Sequence, residues 1–321
     1  MKFSIVIPVY NRPNEINSLI QSITNQSFKD LEILVVEDGS VISSEKIIDK
    51  FKENISLKYY KKRNEGPGLA RNYGAKFALG EWIIFLDSDC IIPVNYFDEI
   101  NRFLRLNKNV DFFGGPDRAN KNFTFLQKSI NYSMTSMLTS GGIRGSKFSI
   151  DKFLPRSFNM GVKKKIFDQV KGFSSMRFGE DLDLSYRLIS VGAKSTLIPE
   201  AFVYHQRRND LKGFSKQIYS SGFARVILNK KHKGTFRFFH LFPSFFILFF
   251  VLVHFLLLFK IDNDLIKLIQ FIYGFYFILI FIESSILNKN PLIGLLSIVT
   301  TFTQFLSYGI GYLRSIIKVY L

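Results

Sequence analysis

The chain has 321 residues, 47% of them hydrophobic, and a net charge of +17 from 43 basic and 26 acidic residues. That length holds one large globular domain and something more, while a single cysteine, Cys90, excludes an intrachain disulfide. The charge does not point to nucleic acid: no nucleic-acid motif is present, and charged residues nearly vanish after Phe238, leaving a net +15 on residues 1–237.

In chain order, residues 3–9 form a short apolar strand that stops at Tyr10-Asn11-Arg12-Pro13. The run is too short for a signal peptide. Residues 13–25 carry Ile16, Leu19, Ile20 and Ile23 at helical spacing, and Pro13 suits a first turn. A second strand at 31–36 ends in Glu37-Asp38-Gly39-Ser40; a helix at 44–51 and a strand at 57–60 follow. A basic, glycine-containing loop, 61–68, opens a helix at 69–79, which leads into the apolar strand 82–86. This alternation predicts an α/β fold with a mainly parallel, right-handed sheet.

Strand 82–86 stops at Asp87-Ser88-Asp89. Ligands gather at the carboxyl ends of strands in such sheets. Two carboxylates one residue apart can hold Mg2+ or Mn2+, which grips a diphosphate; the same triplet also reads as a turn capping the next helix. Beyond it, the pattern gives a helix at 95–106 and a strand at 110–113. Residues 119–145, with Gly141, Gly142 and Gly145, resist assignment and read as an acceptor-side insertion. Residues 155–162 are extended, 180–191 helical, and 195–198 and 201–205 are short strands, the last ending at His205. Cys90 reads as a small apolar filler.

Between Gln206 and Arg237 stand nine basic residues against one acid, Asp210. Within this segment, 211–229 reads as a basic amphipathic helix, Phe214, Ile218 and Phe223 against Lys212, Lys216 and Arg225, lying along a membrane surface. Three apolar runs follow, 238–259, 265–282 and 292–313, each about long enough to span a bilayer. A basic segment before the first span puts residues 1–205 in the cytoplasm and favours anionic lipid. Three spans would place Arg314 and Lys318 outside, so a re-entrant or surface placement of 292–313 stays open. His254, inside the first run, reads as a helix-contact residue. The chain thus divides at 1–205, 206–237 and 238–321, a multi-pass protein of the inner (plasma) membrane.

Several motifs occur in order: Ser4-Ile-Val-Ile-Pro8-Val-Tyr10-Asn11-Arg12, Val36-Glu37-Asp38-Gly39-Ser40, Gly66-Pro67-Gly68-Leu-Ala70-Arg71-Asn72-Tyr-Gly74, and Phe85-Leu-Asp87-Ser88-Asp89. Phe158-Asn159-Met160-Gly161, Gly172-Phe173 and Gly179-Glu180-Asp181-Leu-Asp183-Leu184-Ser-Tyr-Arg187 complete the set. Together they resemble glycosyltransferase family 2, inverting enzymes of GT-A fold, over roughly residues 1–205. The resemblance implies that Pro8, Tyr10 and Arg12 line the base and ribose pocket and that Asp38 accepts hydrogen bonds from the base. It further implies Arg71 near the diphosphate, Ser88 in the donor site, and Asp87 and Asp89 as the metal–diphosphate site, with His205 completing the metal shell. Asp181 matches the catalytic base, and Glu180 orients or binds the acceptor.

Processive synthases of the family carry Gln-x-x-Arg-Trp after the acidic pair; Gln217 and Arg225 only echo it, and the one tryptophan is Trp82. Single-sugar addition is therefore expected: a metal-dependent transfer, with Mg2+ or Mn2+, from a nucleotide-sugar to a hydroxyl of a lipid-linked glycan. Such a reaction belongs to polysaccharide or glycoconjugate synthesis. The alternatives are transfer to a polyprenyl phosphate, whose ionised acceptor needs no base, and a non-catalytic scaffold. Membrane lipids are expected partners, nucleic acid is not, and oligomerisation stays open.

Overall fold

The computed structural model describes residues 1–120, 122–143, 153–260 and 263–321, so Gly145 of the sequence reading lies outside the described residues. Strand and helix alternate from the start: β1 (Phe3–Val9), α1 (Pro13–Thr24), β2 (Leu31–Asp38), α2 (Glu45–Asp49), β3 (Leu57–Lys62), α3 (Pro67–Ala75) and β4 (Trp82–Leu86). Then come β5 (Cys90–Ile91), α4 (Tyr96–Leu106), β6 (Phe112–Gly114), β7 (Asp117–Arg118), α5 (Phe125–Thr135) and α6 (Met137–Ser140). They are followed by β8 (Asn159–Lys163), α7 (Lys164–Gln169), α8 (Glu180–Ser190), β9 (Ser195–Leu197) and β10 (Val203–His205). The remainder is helical: α9 (Leu211–Lys231), α10 (Phe242–Leu258), α11 (Asp264–Asn288) and α12 (Pro291–Tyr320).

The chain forms two compact units, one of Met1–Asn120 with Ile143–Gln206, the other of Lys121–Gly142 with Arg207–Leu321. The first is the α/β unit. Among the described residues its main sheet runs β3-β2-β1-β4-β8-β6-β9, and a small one runs β5-β10-β7. β3, β2, β1 and β4 are parallel, while β8 enters antiparallel to both β4 and β6. Side chains alternate across the strands. Ile5, Ile7, Ile33, Val35, Ile84 and Leu86 face a core closed by α1 and α4; Val6, Leu34, Ile83 and Phe85 face the opposite core, with Ala75, Leu184 and Leu188. Because both faces are covered, the parallel strands read as continuous apolar runs. Their carboxyl ends, after Val9, Asp38 and Leu86, share one edge.

The second unit gathers around α12. Ser133 Oγ lies 2.7 Å from Thr300 Oγ1, Ser284 Oγ lies 2.7 Å from Ser297 Oγ, and Ser129 Oγ donates to the Ile293 carbonyl at 3.2 Å. Tyr132 and Ser136 both donate to the Glu283 carboxylate, at 2.5 and 2.7 Å. Within the stretch unassigned from sequence, α5 and α6 belong to the helical unit. α11 and α12 are long and apolar enough to cross a membrane, and α10, at 17 residues, is the shorter apolar helix.

α9 departs from the predicted surface helix. Phe214 and Ile218 are buried as the pattern requires, but Gly222, Ala224, Val226 and Leu228 are buried as well. α12 covers this further side. The two backbones touch: a Cβ on Gly222 would sit 2.3 Å from the Tyr308 carbonyl oxygen, and one on Gly311 2.2 Å from that of Tyr219.

Candidate active site

The loops after β1 and β2 are fastened to each other. Asn11, at φ 53°, donates its backbone N–H to Ser40 Oγ at 2.8 Å. Its side-chain oxygen accepts the Val41 and Ile42 amides at 2.7 and 3.0 Å. Beneath them, buried Glu37 accepts from Ser40, from the Ser44 amide at 2.7 Å and from the Tyr59 hydroxyl at 2.8 Å. Pro8 is half-buried in β1, and Tyr10 stands 51% exposed on this rim.

Asp38 has a different set of partners from the expected base contact. Its carboxylate is 3% exposed and accepts from Lys62 Nζ at 2.9 Å and from the Glu65 and Gly66 amides at 3.0 and 2.9 Å. It therefore anchors the loop that opens α3. Lys62, buried beside it, was not singled out by sequence reasoning; only its place in a basic loop hinted at it.

At the end of β4 the two aspartates face different partners. Arg71, on α3, is 2% exposed and donates to Asp87 Oδ1 at 2.6 Å and to Glu180 Oε1 at 3.1 Å. The Phe173 ring lies 5.4 Å from its guanidinium carbon. Arg71, expected near the diphosphate, is paired here with two carboxylates. Gly68 permits this closeness, since a Cβ there would stand 3.3 Å from Glu180 Cγ and 3.2 Å from the Ser174 carbonyl. Ser88, between the aspartates, is buried.

Asp89 contacts Arg12 and lies 3.3 Å from His205 Nε2. Burial pushes its carboxyl up, but His205 and Arg12 outweigh that and hold it well below the usual carboxylate range. Arg12, expected at the ribose pocket, contacts Asp89 here. His205 stacks on Phe158 at 4.7 Å, and its Nδ1 is buried with no hydrogen-bond partner among the described residues. Donor atoms of Asp89, Cys90 and His205 lie within 4.8 Å of one another. The carboxylate suits a hard cation such as Mn2+ or Mg2+, with the imidazole a borderline ligand better matched to Mn2+; the soft thiol does not suit one, and here burial lifts it well above its ordinary value and it donates to the Phe158 carbonyl. Asp87, expected as a second ligand, is not among these three; its Oδ1 accepts from Arg71.

The acidic pair opens α8 after Gly179, where the helix dipole favours acids. Burial and then the charge of Asp181 push Glu180 up to about 7, against the pull of Arg71. Asp181 is less enclosed; its Oδ1 accepts the Leu182 amide at 2.7 Å and faces Arg156 at 3.8 Å. Nothing in the extended stretch around Arg156 marked that residue from sequence. Asp183 is fully buried and paired with Arg187 at 2.9 Å, one turn along α8.

These strand ends, carboxylates and helix starts coincide with a known sequence pattern, as the model for Glycosyl transferase family 2 matches residues 4–178. The chain belongs to that family. It is 28% identical over 213 residues to the minor teichoic acid biosynthesis protein GgaB of Bacillus subtilis, covering 65% of this chain and 23% of that protein. The chain spans about a fifth of the length of this and several other curated relatives. Among solved structures, S. aureus TarS 1-349 in complex with UDP-GlcNAc shares 20% identity and a TM-score of 0.51 over 71% of this chain and 67% of that one. The mannosyltransferase PcManGT of Pyrobaculum calidifontis, in complex with GDP-Man and Mn2+, shares 12% identity and a TM-score of 0.69 over 99% of this chain and 88% of that one. Both likenesses are of fold, and the fold is the GT-A arrangement predicted from sequence.

Proposed function

We propose that the protein is an inverting glycosyltransferase that moves one sugar from a nucleotide-sugar to a hydroxyl of a membrane-associated acceptor, a lipid-linked glycan. Buried Arg71 supports this reading: it ties Asp87, at the end of β4, to Glu180, the neighbour of Asp181 at the start of α8. Asp181 takes the proton of the acceptor hydroxyl as its oxygen attacks the anomeric carbon. The bond from that carbon to the diphosphate oxygen breaks, and one displacement inverts the configuration. Glu180 positions the acceptor side. Pro8, Tyr10 and the Asp38-anchored loop wall the nucleotide, with Arg12 and Ser88 beside the donor. Asp89 and His205 would hold Mg2+ or Mn2+, which when bound neutralises charge on the departing diphosphate. The C-terminal helices anchor the chain in the inner (plasma) membrane with the α/β unit in the cytoplasm. The likeness to GgaB supports a place in cell-surface polysaccharide synthesis.

A donor screen tests this. Detergent-solubilised protein with Mn2+ or Mg2+ is titrated with UDP-, GDP-, CMP- and dTDP-linked sugars, following binding and slow hydrolysis. One donor should bind in a metal-dependent way, and Asp89→Ala should weaken it. Asp181→Asn should keep donor binding while turnover falls on the order of 10²–10⁴-fold. A folded sample that binds none of these donors sinks the proposal.

A further inference from the structure

We infer that only α10 and α11 cross the membrane, and that α12 lies in the plane of the near leaflet, its exposed apolar stripe against lipid. The inference rests on the membrane anchoring proposed above and is independent of the chemistry.

The decisive contacts join α9 to α12. α9 precedes the first apolar helix, and Lys212, Lys216, Arg225, Lys230 and Lys231 make it too charged to span. It stays on the side from which α10 enters. Yet α12 runs beside it in the same direction to its last turn. Ser215 Oγ meets Ser307 Oγ at 2.8 Å, and Gly311 abuts the Tyr219 carbonyl. Lys318 Nζ is 5.9 Å from the Phe223 ring centroid, and Lys230 Nζ donates to the Val319 carbonyl at 2.9 Å. A spanning α12 would carry its last turn to the far side and leave these contacts impossible.

The crossing with the α10–α11 hairpin agrees. Phe250 and Phe246 pack on Tyr273, and Phe246 also on Phe277, so α10 and α11 are antiparallel. A third helix aligned with the pair must run parallel to one of them. α12 instead reverses against both. Phe250 meets Phe302, Phe246 meets Phe305, and Ser244 meets Gly309, while Ser284 meets Ser297 and Tyr276 meets Phe305. Only a helix laid across the near end of the hairpin satisfies both series.

The surface of α12 suits that position. Leu292, Leu295, Val299, Ile310, Leu313 and Ile317 are 37–59% exposed. At 100° per residue they fall within an arc of about 60° along its whole length. Ser297, Thr300, Thr301 and Gln304 are buried on the other side. Thirty residues make a helix of about 45 Å, longer than the roughly 30 Å hydrocarbon core. Charge points the same way: Arg314 and Lys318 join the basic residues of α9 on one side, as the positive-inside rule asks.

Cysteine labelling tests the placement. The wild-type chain, whose one cysteine is buried, is the blank. Lys260→Cys, in the turn after α10, and Leu321→Cys, 97% exposed just beyond α12, are treated separately with a membrane-impermeant maleimide in intact and in permeabilised cells. The expected result is opposite sidedness: Lys260→Cys labelled in intact cells, Leu321→Cys only after permeabilisation. Labelling of both from the same side overturns the inference and leaves the membrane anchoring standing. Release of the protein by an alkaline carbonate wash overturns both.

Discussion

The two units bury polar groups in different ways. In the α/β unit they are charges set against charges, Arg71 with Asp87 and Glu180, Lys62 with Asp38, Arg187 with Asp183. In the helical unit most are hydroxyls that answer hydroxyls or carbonyls, Ser133 with Thr300, Ser284 with Ser297, and Glu283 is held by the hydroxyls of Tyr132 and Ser136. Buried ion pairs contribute little net stability but hold charge in fixed places, which suits a site for an anionic ligand. Small hydroxyl residues let helices approach closely, which would suit the membrane placement proposed above.

The contrast is broken most severely by Arg71→Ala. It leaves buried Glu180 and partly exposed Asp87 without their cation, and removing one partner of a buried pair costs up to about 3–5 kcal/mol. Thermal unfolding in detergent should show the loss, with donor turnover abolished; Arg71→Lys should recover part of the stability. An unchanged melting temperature would mean that the carboxylates do not depend on it.

Glu180 gives a pH signature. Folding raises its carboxyl from the ordinary 4.5 to about 7, so the folded state keeps a proton that the unfolded chain releases between those values. Its contribution to stability is fully present below pH 4.5 and is lost as pH rises to about 7, on the order of 3 kcal/mol across the window. Glu180→Gln should flatten that slope relative to the wild type, and parallel slopes would contradict the assignment. In the helical unit, Gly311→Leu forces apart the backbones of α9 and α12. A loss of about 1–3 kcal/mol is expected, read as a lower melting temperature with donor binding retained. The smallest effect belongs to Thr300→Val, which removes one interhelical hydroxyl and should cost about 0.6 kcal/mol. A loss as large as that of Arg71→Ala would erase the distinction between the units.

Much of the α/β unit is legible in sequence, because strands covered on both faces are continuous apolar runs and α1 repeats its isoleucines and leucines at helical spacing. α5 is harder to read: Leu126, Ile130 and Met134 recur at helical spacing, but Ser129 and Ser133 are buried too, so the polar and apolar positions do not separate into a clean period. The site divides similarly. Asp87, Asp89 and the acidic pair announce themselves by position, whereas the destination of Arg71 depends on Glu180, 109 residues away. The contacts of Arg12 with Asp89 and of Asp38 with Lys62 are likewise long-range and carry no local signal.

The fastening of the β1 and β2 loops through Asn11 bears on the thermodynamics of donor capture. Ordering a free loop costs about 1–2 kcal/mol per residue in backbone entropy. Here Val41 and Ile42 are tied to one side-chain oxygen, with their own side chains 90% and 58% exposed. If the donor binds here as proposed, its nucleotide meets a backbone that has already given up its freedom. Folding, rather than binding, absorbs that entropy, and affinity for the donor can rest on few contacts.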